Sequence, residues 1–437
     1  MKNIFGNNGE SMFDNLGRIK IVDGMRYYKK TNDENNMARI FIELKKQVDP
    51  DALLYAYEKA LKRHRVFRFI VVSDDKYFYL KENDEKPVIH LNTGDRYVVG
   101  GDKNNGYLTR IGYNGNTITI DIFHGVTDGM GCIAFQRTLL YYYMKKIGVE
   151  NIDGTGILLE NDAEDVCEYT ECVHFVPKEM VEISKGYEYD RAFQFGDKQI
   201  ENAYGCKVYE LKVDASEFES YMRANSSSRS GVFTCFMNSV IAENNDIGEL
   251  PIVAALAVNA RPALGAEKTN TCCVATVPVW YDNDIKKLPE GEQLKLSRQM
   301  IVDGVEKNKI IASVQRSVEF NKMMEEQCET LEQKKQFARI ANERGGVKYT
   351  YGLSYVGEIK YGTGIDEHVL KNYPQLCANT IPIIMEIVKY AGSYYIIYCS
   401  HLEHDPYVYK LQEKFIKAGI SCQIQQKDDF YETLAIF

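Results

Sequence analysis

One short segment, His124-Gly125-Val126-Thr127-Asp128-Gly129, combines residue types that proton-transfer chemistry uses. An imidazole titrates near neutral pH and can take a proton from a hydroxyl or an amine, which is the role of a general base. An aspartate stands four residues after the histidine, and a glycine follows it directly. The pattern predicts His124 as a catalytic base. A plainer interpretation stays open, in which Asp128 only caps a helix and His124 only lies in a turn.

Two regular elements flank this segment and would hold it in place. Residues Thr117–Phe123 alternate apolar and polar side chains, as a half-buried strand does. Residues 130–146 carry apolar side chains at helical spacing. His124 therefore leaves the end of a strand and Asp128 stands where a helix begins. A histidine in this position can be held rigidly while it faces a cleft.

The composition limits the class of protein. With 437 residues the chain is too long for one ordinary core, which predicts two domains. A content of 45% hydrophobic and 26% charged residues is typical of a globular protein. The formal net charge of -9 argues against a nucleic-acid partner, because phosphate binding is dominated by Lys and Arg.

The sequence also favours a cytoplasmic location. Residues 1–10 lack the apolar core of a signal peptide, and no segment holds enough consecutive apolar residues to span a bilayer. The 11 cysteines are odd in number and follow no disulfide framework, which suits reduced thiols. We therefore expect a cytoplasmic protein without a membrane span, and we expect a monomer.

Two groups of cysteines need an interpretation. Cys167, Cys172 and His174 lie close together, but no second ligand pair follows at the spacing of a zinc site, so we predict no metal. Cys272 and Cys273 lie in an apolar, strand-like stretch. We interpret them as buried structural thiols.

The order of predicted elements divides the chain in two. Strands and helices alternate at first, regular structure weakens between residues 151 and 204, and it then returns. We predict an N-terminal lobe at residues 1–170, a connection at 171–204 and a C-terminal lobe at 205–437. Near the end, His401 and Asp405 repeat the H-x-x-x-D spacing between a strand and a helix. Because Pro406 fixes φ there, we expect a helix cap and not a second active site.

Four segments resemble the chloramphenicol acetyltransferase-like superfamily, which includes the condensation domains of non-ribosomal peptide synthesis and the alcohol acetyltransferase-like proteins. Residues 124–129 match its H-x-x-x-D-G motif. The arginine-containing stretch 60–68 is similar to a helix-to-strand segment of these proteins. Val258-Asn259-Ala260-Arg261-Pro262 with Thr269-Asn270 is similar to their N-x-R-P segment, and Ser354-Tyr355-Val356-Gly357 to their S-N-x-G segment. The resemblance covers most of the chain.

Some positions depart from the family patterns. Phe123 stands where condensation domains usually carry a second histidine, which favours the alcohol acetyltransferase-like branch. Tyr355 stands where an asparagine is common. No stretch matches the D-F-G-W-G segment of the plant acyltransferases.

The resemblance implies an α/β fold of two α+β sandwich lobes, arranged as a pseudo-dimer with a tunnel between them and His124 at its middle. It implies that Asp128 and Gly129 support the catalytic loop, and that Asp128 turns away from the tunnel to pair with an arginine. The candidates for that arginine are Arg63 and Arg68. The residues predicted to line the tunnel are Asn259, Arg261, Ser354, Tyr355 and Gly357.

The resemblance also implies acyl transfer to an alcohol or an amine, with His124 removing the proton of the acceptor. No cofactor is permanently bound. The donor is an acyl-CoA or an acyl-carrier protein, so the expected partners are a small acceptor, a thioester and, in the second case, an acyl or peptidyl carrier protein. Two alternatives stay open. One is a stand-alone condensation domain that forms amides on a carrier protein, and the other is a non-catalytic binding module of the same fold.

Overall fold

The computed structural model describes residues 14–30, 36–93, 97–184, 187–196, 206–376, 381–427 and 433–436. Residues 1–10, where we predicted no signal peptide, and residues 197–204 of the predicted connection lie outside the described residues.

The described strands are β1 (Arg18–Lys20), β2 (Met37–Leu44), β3 (Phe69–Ser73), β4 (Phe78–Glu82), β5 (Ile89–Leu91), β6 (Tyr97–Val99), β7 (Thr109–Asn114), β8 (Thr117–Phe123), β9 (Lys207–Asp214), β10 (Ile252–Asn259), β11 (Val274–Tyr281), β12 (Tyr351–Glu358), β13 (Val369–Leu376), β14 (Ile383–Tyr390), β15 (Ser393–Ser400), β16 (Cys422–Gln426) and β17 (Thr433–Ala435). The described α-helices are α1 (Met25–Tyr28), α2 (Pro50–Arg63), α3 (Gly129–Lys146), α4 (Ala215–Ala224), α5 (Arg229–Asn244), α6 (Arg261–Leu264), α7 (Asn283–Lys286), α8 (Glu290–Gly304), α9 (Lys307–Gln327), α10 (Leu331–Gly346) and α11 (Tyr407–Lys417).

The first lobe is built on a five-stranded sheet in the order β13-β2-β8-β7-β5. Apolar residues of β2 and β8, such as Ile42 and Ile120, are buried in one core with apolar residues of α2 and α3. Helix α2 begins after Asp49, whose side chain accepts a hydrogen bond from the backbone N–H of Ala52. Strand β8 and helix α3 lie where the sequence predicts them, on either side of the His124 segment.

The second lobe is built on a seven-stranded sheet in the order β11-β10-β12-β14-β15-β9-β16. Helix α5 contributes an uninterrupted run of buried residues, 231–242, to its core. A helix that is buried on all sides is typical of a large core. Three consecutive helices, α8, α9 and α10, lie between Glu290 and Gly346. The predicted α/β class, with two lobes that each pack helices on a sheet, is confirmed.

The chain crosses between the lobes near its end. Strand β13 follows β12 in sequence, yet it pairs antiparallel with β2 of the first sheet, while β12 pairs directly with β14. Strand β17 likewise pairs with β6. The predicted division placed all of residues 205–437 in the C-terminal lobe, and these two strands depart from it. Such pairing over long sequence distances leaves no signal in local periodicity.

The predicted loss of regular structure after residue 151 is also found. Among the described residues of 151–196, the helical turns are two short 3-10 segments, Val166–Tyr169 and Cys172–Phe175. No helix within the described ranges is long and apolar enough to cross a membrane.

Candidate active site

His124 lies at the end of β8, a strand with neighbours on both sides in the first sheet. Its backbone N–H donates a 2.8 Å hydrogen bond to the carbonyl oxygen of Asn36. Its side chain is half-buried and lines a cavity of about 140 Å³. The strand end therefore holds the imidazole at the cavity wall, as the sequence predicts.

The surroundings of His124 favour its neutral form. Burial is the largest cause and, together with the positive charge of Arg26, lowers the pKa of His124 to about 4. Backbone hydrogen bonds and the charge of Asp128 act in the opposite direction but do not cancel this effect. At neutral pH the imidazole is uncharged and able to accept a proton.

Cys272 lies beside the histidine, with its Sγ atom 3.9 Å from Nδ1 of His124. Burial raises the pKa of the Cys272 thiol to about 12, so the sulfur stays protonated. Cys272 and Cys273 are both buried, as predicted. The contact with His124 was not predicted, because 148 residues separate the two in the sequence.

Asp128 and Arg261 form a buried, bidentate ion pair. Nη1 of Arg261 lies 2.8 Å from Oδ2 of Asp128, and Nη2 lies 2.8 Å from Oδ1. The Arg261 guanidinium also donates to the carbonyl oxygens of Thr269 and Thr271, at 2.8 and 2.7 Å. The N–H groups of the guanidinium that do not bind Asp128 thus have hydrogen-bond acceptors of their own. A buried charge needs such partners to offset the loss of water.

Asp128 is at the same time the N-cap of α3. Its Oδ1 atom accepts hydrogen bonds of 3.1 Å from the backbone N–H groups of Met130 and Gly131. Its Oδ2 atom accepts a third, of 2.8 Å, from the N–H of Cys273. Asp128 therefore caps helix α3 and pairs with Arg261 at the same time.

The two arginines predicted to pair with Asp128 bind elsewhere, so that prediction was wrong. Arg68 pairs with Glu82. Arg63 pairs with Glu168, its Nη1 and Nη2 atoms lying 2.6 and 2.9 Å from the carboxylate oxygens. Arg63 is the last residue of α2 and Arg68 follows shortly after it, both in the first lobe, whereas Asp128 pairs with a residue of the second lobe.

Arg63 still supports the loop indirectly. The Glu168 carbonyl oxygen accepts a 2.8 Å hydrogen bond from the N–H of Asn270. The Asn270 carbonyl oxygen in turn accepts a 2.6 Å hydrogen bond from the Thr127 hydroxyl. Arg63 therefore holds Glu168, which helps to position the segment that contacts the loop.

Of the five predicted tunnel residues, Ser354 lines the cavity. Arg261 is instead the partner of Asp128, and Asn259 Oδ1 accepts a 3.2 Å hydrogen bond from its Nη1. Tyr355 packs against Phe233 and Tyr394 on the other side of the sheet, because neighbouring residues of a strand point to opposite faces. Gly357 adopts a φ of +105° at a bulge in the pairing of β12 with β14. It shapes the strand end and is not among the cavity residues.

The cavity lies between the two sheets and receives residues from both lobes. Ile122, Cys132 and Gln136 come from β8 and α3, and Asn372 comes from β13. Ala257, Val274 and Ser354 come from the second sheet. Glu386 of β14 also lies on the wall, and burial raises its pKa to about 7, although the Ser354 hydroxyl acts in the opposite direction. The cavity therefore holds a neutral histidine and a buried carboxyl group.

A larger groove of about 870 Å³ adjoins the cavity, and Ile133 and Val356 line both. The groove carries Arg63, Arg137, Arg261 and Lys268 among its basic residues. Both Arg63 and Arg261 are already ion-paired. The site is thus open to a second, larger molecule on the side of α3.

The described part of the chain contains no group of three or more His, Cys, Asp or Glu side chains that could hold a metal ion. His401, the histidine of the second H-x-x-x-D spacing, is buried and is not one of the residues that line the cavity. Asp405 accepts a 2.9 Å hydrogen bond from the N–H of Tyr407, in the first turn of α11.

The fold is similar to that of several solved acyltransferases and condensation domains. The trichothecene 15-O-acetyltransferase from Fusarium sporotrichioides superposes with a TM-score of 0.63, at 12% identity, over 93% of this chain and 96% of that chain. TRI101 from F. graminearum, complexed with coenzyme A and T-2 mycotoxin, gives a TM-score of 0.58 at 12% identity, over 93% and 99%. The condensation domain from the Monacolin K polyketide synthase MokA gives 0.57 at 11% identity, over 92% and 96%.

The chain has the fold of these acetyltransferases and condensation domains. The resemblance predicted from four sequence segments is confirmed at the level of the fold. No protein-family model matches the sequence, and no curated protein sequence is significantly similar to it.

Two glycines of the H-x-x-x-D-G-x-G stretch let the lobes of this fold approach each other. A Cβ atom on Gly129 would lie 3.2 Å from Cγ1 of Val356 in the second lobe. A Cβ atom on Gly131 would lie 2.3 Å from the Asn270 carbonyl oxygen and equally close to the Thr127 hydroxyl. Gly131 was missed by the sequence analysis. At Gly131 the nearest neighbour is a backbone oxygen, which cannot move aside as a side chain can. Position 131 therefore tolerates a side chain less well than position 129.

Glu386 and Asn372 were missed as well. Glu386 is a single charged residue inside the apolar run 383–388 of β14, and that contrast was a usable signal. Asn372 gives no such signal, because its place on the cavity wall depends on the crossing of β13 to the first sheet.

Asp128→Asn should lower the free energy of unfolding by about 3–5 kcal/mol, because Arg261 would be left as a buried charge without its partner. Denaturant unfolding measures this change. The matched control is Asp284→Asn, in which an exposed pair with Lys287 is lost and the expected change is within about 0.5 kcal/mol. An Asp128→Asn protein of full stability that loses only its reaction rate would show that Asp128 takes part in the chemistry itself.

Gly131→Ala and Gly345→Ala should have opposite effects on stability. Both glycines lie in helices, where alanine is intrinsically favoured by roughly 0.5–1 kcal/mol. An added Cβ meets nothing within 4 Å at Gly345, so that variant should gain stability. At Gly131 the added Cβ collides with backbone, so the variant should lose stability. Thermal unfolding of both proteins tests this, and a stabilised Gly131→Ala variant would contradict the packing described.

Proposed function

We propose that the protein is an acyltransferase that moves an acyl group from a coenzyme A or carrier-protein thioester to an alcohol or an amine. The observation that carries this proposal is the neutral His124 on the wall of a cavity between the two lobes. The fold supports it, since solved proteins of the same fold include acetyltransferases, one of them complexed with coenzyme A.

His124 acts as the general base. Its Nδ1 atom faces Cys272, which leaves Nε2 to accept the proton of the acceptor. The acceptor oxygen or nitrogen attacks the thioester carbonyl carbon, the new bond forms, and the carbon–sulfur bond breaks. The thiolate that leaves takes up a proton, so that His124 returns to its neutral form.

Both substrates are held together in this reaction, and no acyl-enzyme is formed. Cys272 is the nearest candidate for a covalent nucleophile, but its buried thiol stays protonated. The acceptor occupies the cavity, and the donor reaches it through the adjoining groove. Bringing both molecules into one fixed geometry supplies a large part of the acceleration.

Asp128 and Arg261 act as positioning residues. The N-cap and the ion pair fix the loop between β8 and α3, so that His124 does not move when the substrates bind. The conformation of the base is thus set before the reaction begins.

His124→Ala should reduce transfer by roughly a hundredfold or more, because a general base contributes about that factor. The assay follows free thiol release from acetyl-CoA with a panel of alcohols and amines. His401→Ala is the matched control, since it removes the histidine of the second H-x-x-x-D spacing away from the cavity. Circular dichroism shows that both variants are folded. Equal losses in the two variants would contradict the assignment.

The donor is identified by offering acetyl-CoA, acetyl-pantetheine and an acylated carrier protein in parallel. Turnover of acetyl-CoA identifies a coenzyme A thioester as the donor. Turnover of the carrier-bound acyl group alone identifies a carrier-protein thioester as the donor. If the folded protein binds these thioesters without turning any of them over, it is a binding module and the proposal is wrong.

The pH dependence of transfer should report the pKa of His124. With a pKa of about 4, roughly 90% of the imidazole is neutral at pH 5, whereas about 3% of an ordinary histidine is. We expect kcat/KM to stay level from neutral pH to about pH 5 and to fall below it. Measuring in a Glu386→Gln background removes the titration of the cavity carboxyl. A midpoint near the ordinary value would show that the base is not this buried histidine.

A further inference from the structure

Glu386 differs from every other buried acidic residue in the described part of the chain. Asp121 pairs with Arg39 and Arg110, Asp128 pairs with Arg261, and Glu210 pairs with Lys371 and Lys427. Glu386 is equally buried, with 7% of its surface exposed, and no ion pair joins it to a described cation. A buried carboxyl group without a cation favours its neutral form, and a cationic partner bound in the cavity would favour its charged form.

The position of Glu386 in the sheet directs it toward the reaction site. It lies opposite Ser354 in the parallel pairing of β14 with β12, and both residues line the cavity that contains His124. The hydroxyl of Ser354 is the polar group that contacts the carboxyl in the protein. The carboxyl is therefore held at a fixed place on the wall of the proposed acceptor cavity.

Asn372 supplies a second, independent observation on the same wall. Its Nδ2 atom donates to Oε1 of Gln136 at 2.9 Å and to the Tyr361 hydroxyl at 2.6 Å. The Tyr361 hydroxyl itself donates to Oε1 of Gln136 at 2.8 Å, so this network fixes the orientation of the amide. Oδ1 of Asn372 is left buried and without a hydrogen-bond partner among the described residues.

We propose that Glu386 and Asn372 recognise a protonated amino group of the acceptor, so that the acceptor is a small amino alcohol or diamine. This inference rests on the proposed function. An ammonium group offers several N–H donors and a positive charge, and the two residues offer one carboxyl group and one unpartnered oxygen. The ammonium nitrogen has no free electron pair, so a second group of the same molecule, near His124, is the one acylated. The cavity would hold on the order of ten water molecules, which limits the acceptor to a small molecule.

The test compares two acceptors of the same shape. One is aminobutanol, whose primary amine is protonated at neutral pH and offers several N–H donors, and the other is its carbon isostere pentanol, in which a methyl group replaces the ammonium group. In the parent protein, kcat/KM with acetyl-CoA should be at least tenfold higher for the amino alcohol, mainly through a lower KM. In Glu386→Gln the preference should fall to within about twofold, because charge recognition is lost. Glu292→Gln, which removes an exposed carboxyl group far from the cavity, should keep the preference.

Calorimetric binding of the same two alcohols, without any thioester, separates this inference from the proposed function. Binding of the amino alcohol by the parent protein and its loss in a folded Glu386→Gln variant support the inference, even if no acyl group is transferred. Equal binding of both alcohols by the parent, or a preference that survives in Glu386→Gln, overturns it. Failure of all thioesters to react would contradict the proposed function alone.

Discussion

The ion pair between Asp128 and Arg261 joins residues that lie 133 positions apart, and the site is organised around it. Asp128 belongs to the start of α3 in the first lobe, and Arg261 belongs to α6 in the second. Burying two charges is unfavourable unless every polar edge is satisfied. The backbone around both residues is therefore arranged to donate to the carboxylate and to accept from the guanidinium. The loop that carries His124 is thus held by contacts from both lobes.

Burial acts on three ionisable groups at or beside this cavity and shifts their pKa values in different directions. For an imidazole the charged form is the protonated one, so burial lowers the pKa of His124. For a thiol and a carboxyl the charged form is the deprotonated one, so burial raises the pKa of Cys272 and of Glu386. Burial thus favours the uncharged form of the imidazole, of the thiol and of the carboxyl group alike.

The sequence predicted what is local and missed what depends on tertiary contacts. The strand before His124 and the helix after Asp128 could be predicted because their periodicities lie within a few residues of the motif. The arginine partner could not be predicted, because Arg261 lies 133 residues after Asp128 and meets it only in the folded protein. Arg63 and Arg68 pair with glutamates instead. Tyr355 was predicted to line the tunnel because it belongs to the segment that resembles the family. Alternate residues of a strand point to opposite faces, so only some residues of that segment can face the cavity. Glu386 carried a visible signal, a single charge in an apolar strand, that the sequence analysis did not use.

The crossing of β13 sets an order for assembly during synthesis. Strand β2 pairs with β8 on one side and with β13 on the other, and β13 lies more than 300 residues later in the chain, at Val369–Leu376. Until the ribosome has released that segment, one edge of β2 has no strand to pair with. An open edge is a template for pairing between chains, and incomplete domains are prone to aggregate for this reason. The first lobe therefore stays an incomplete sheet through most of translation, and its completion coincides with the folding of the second.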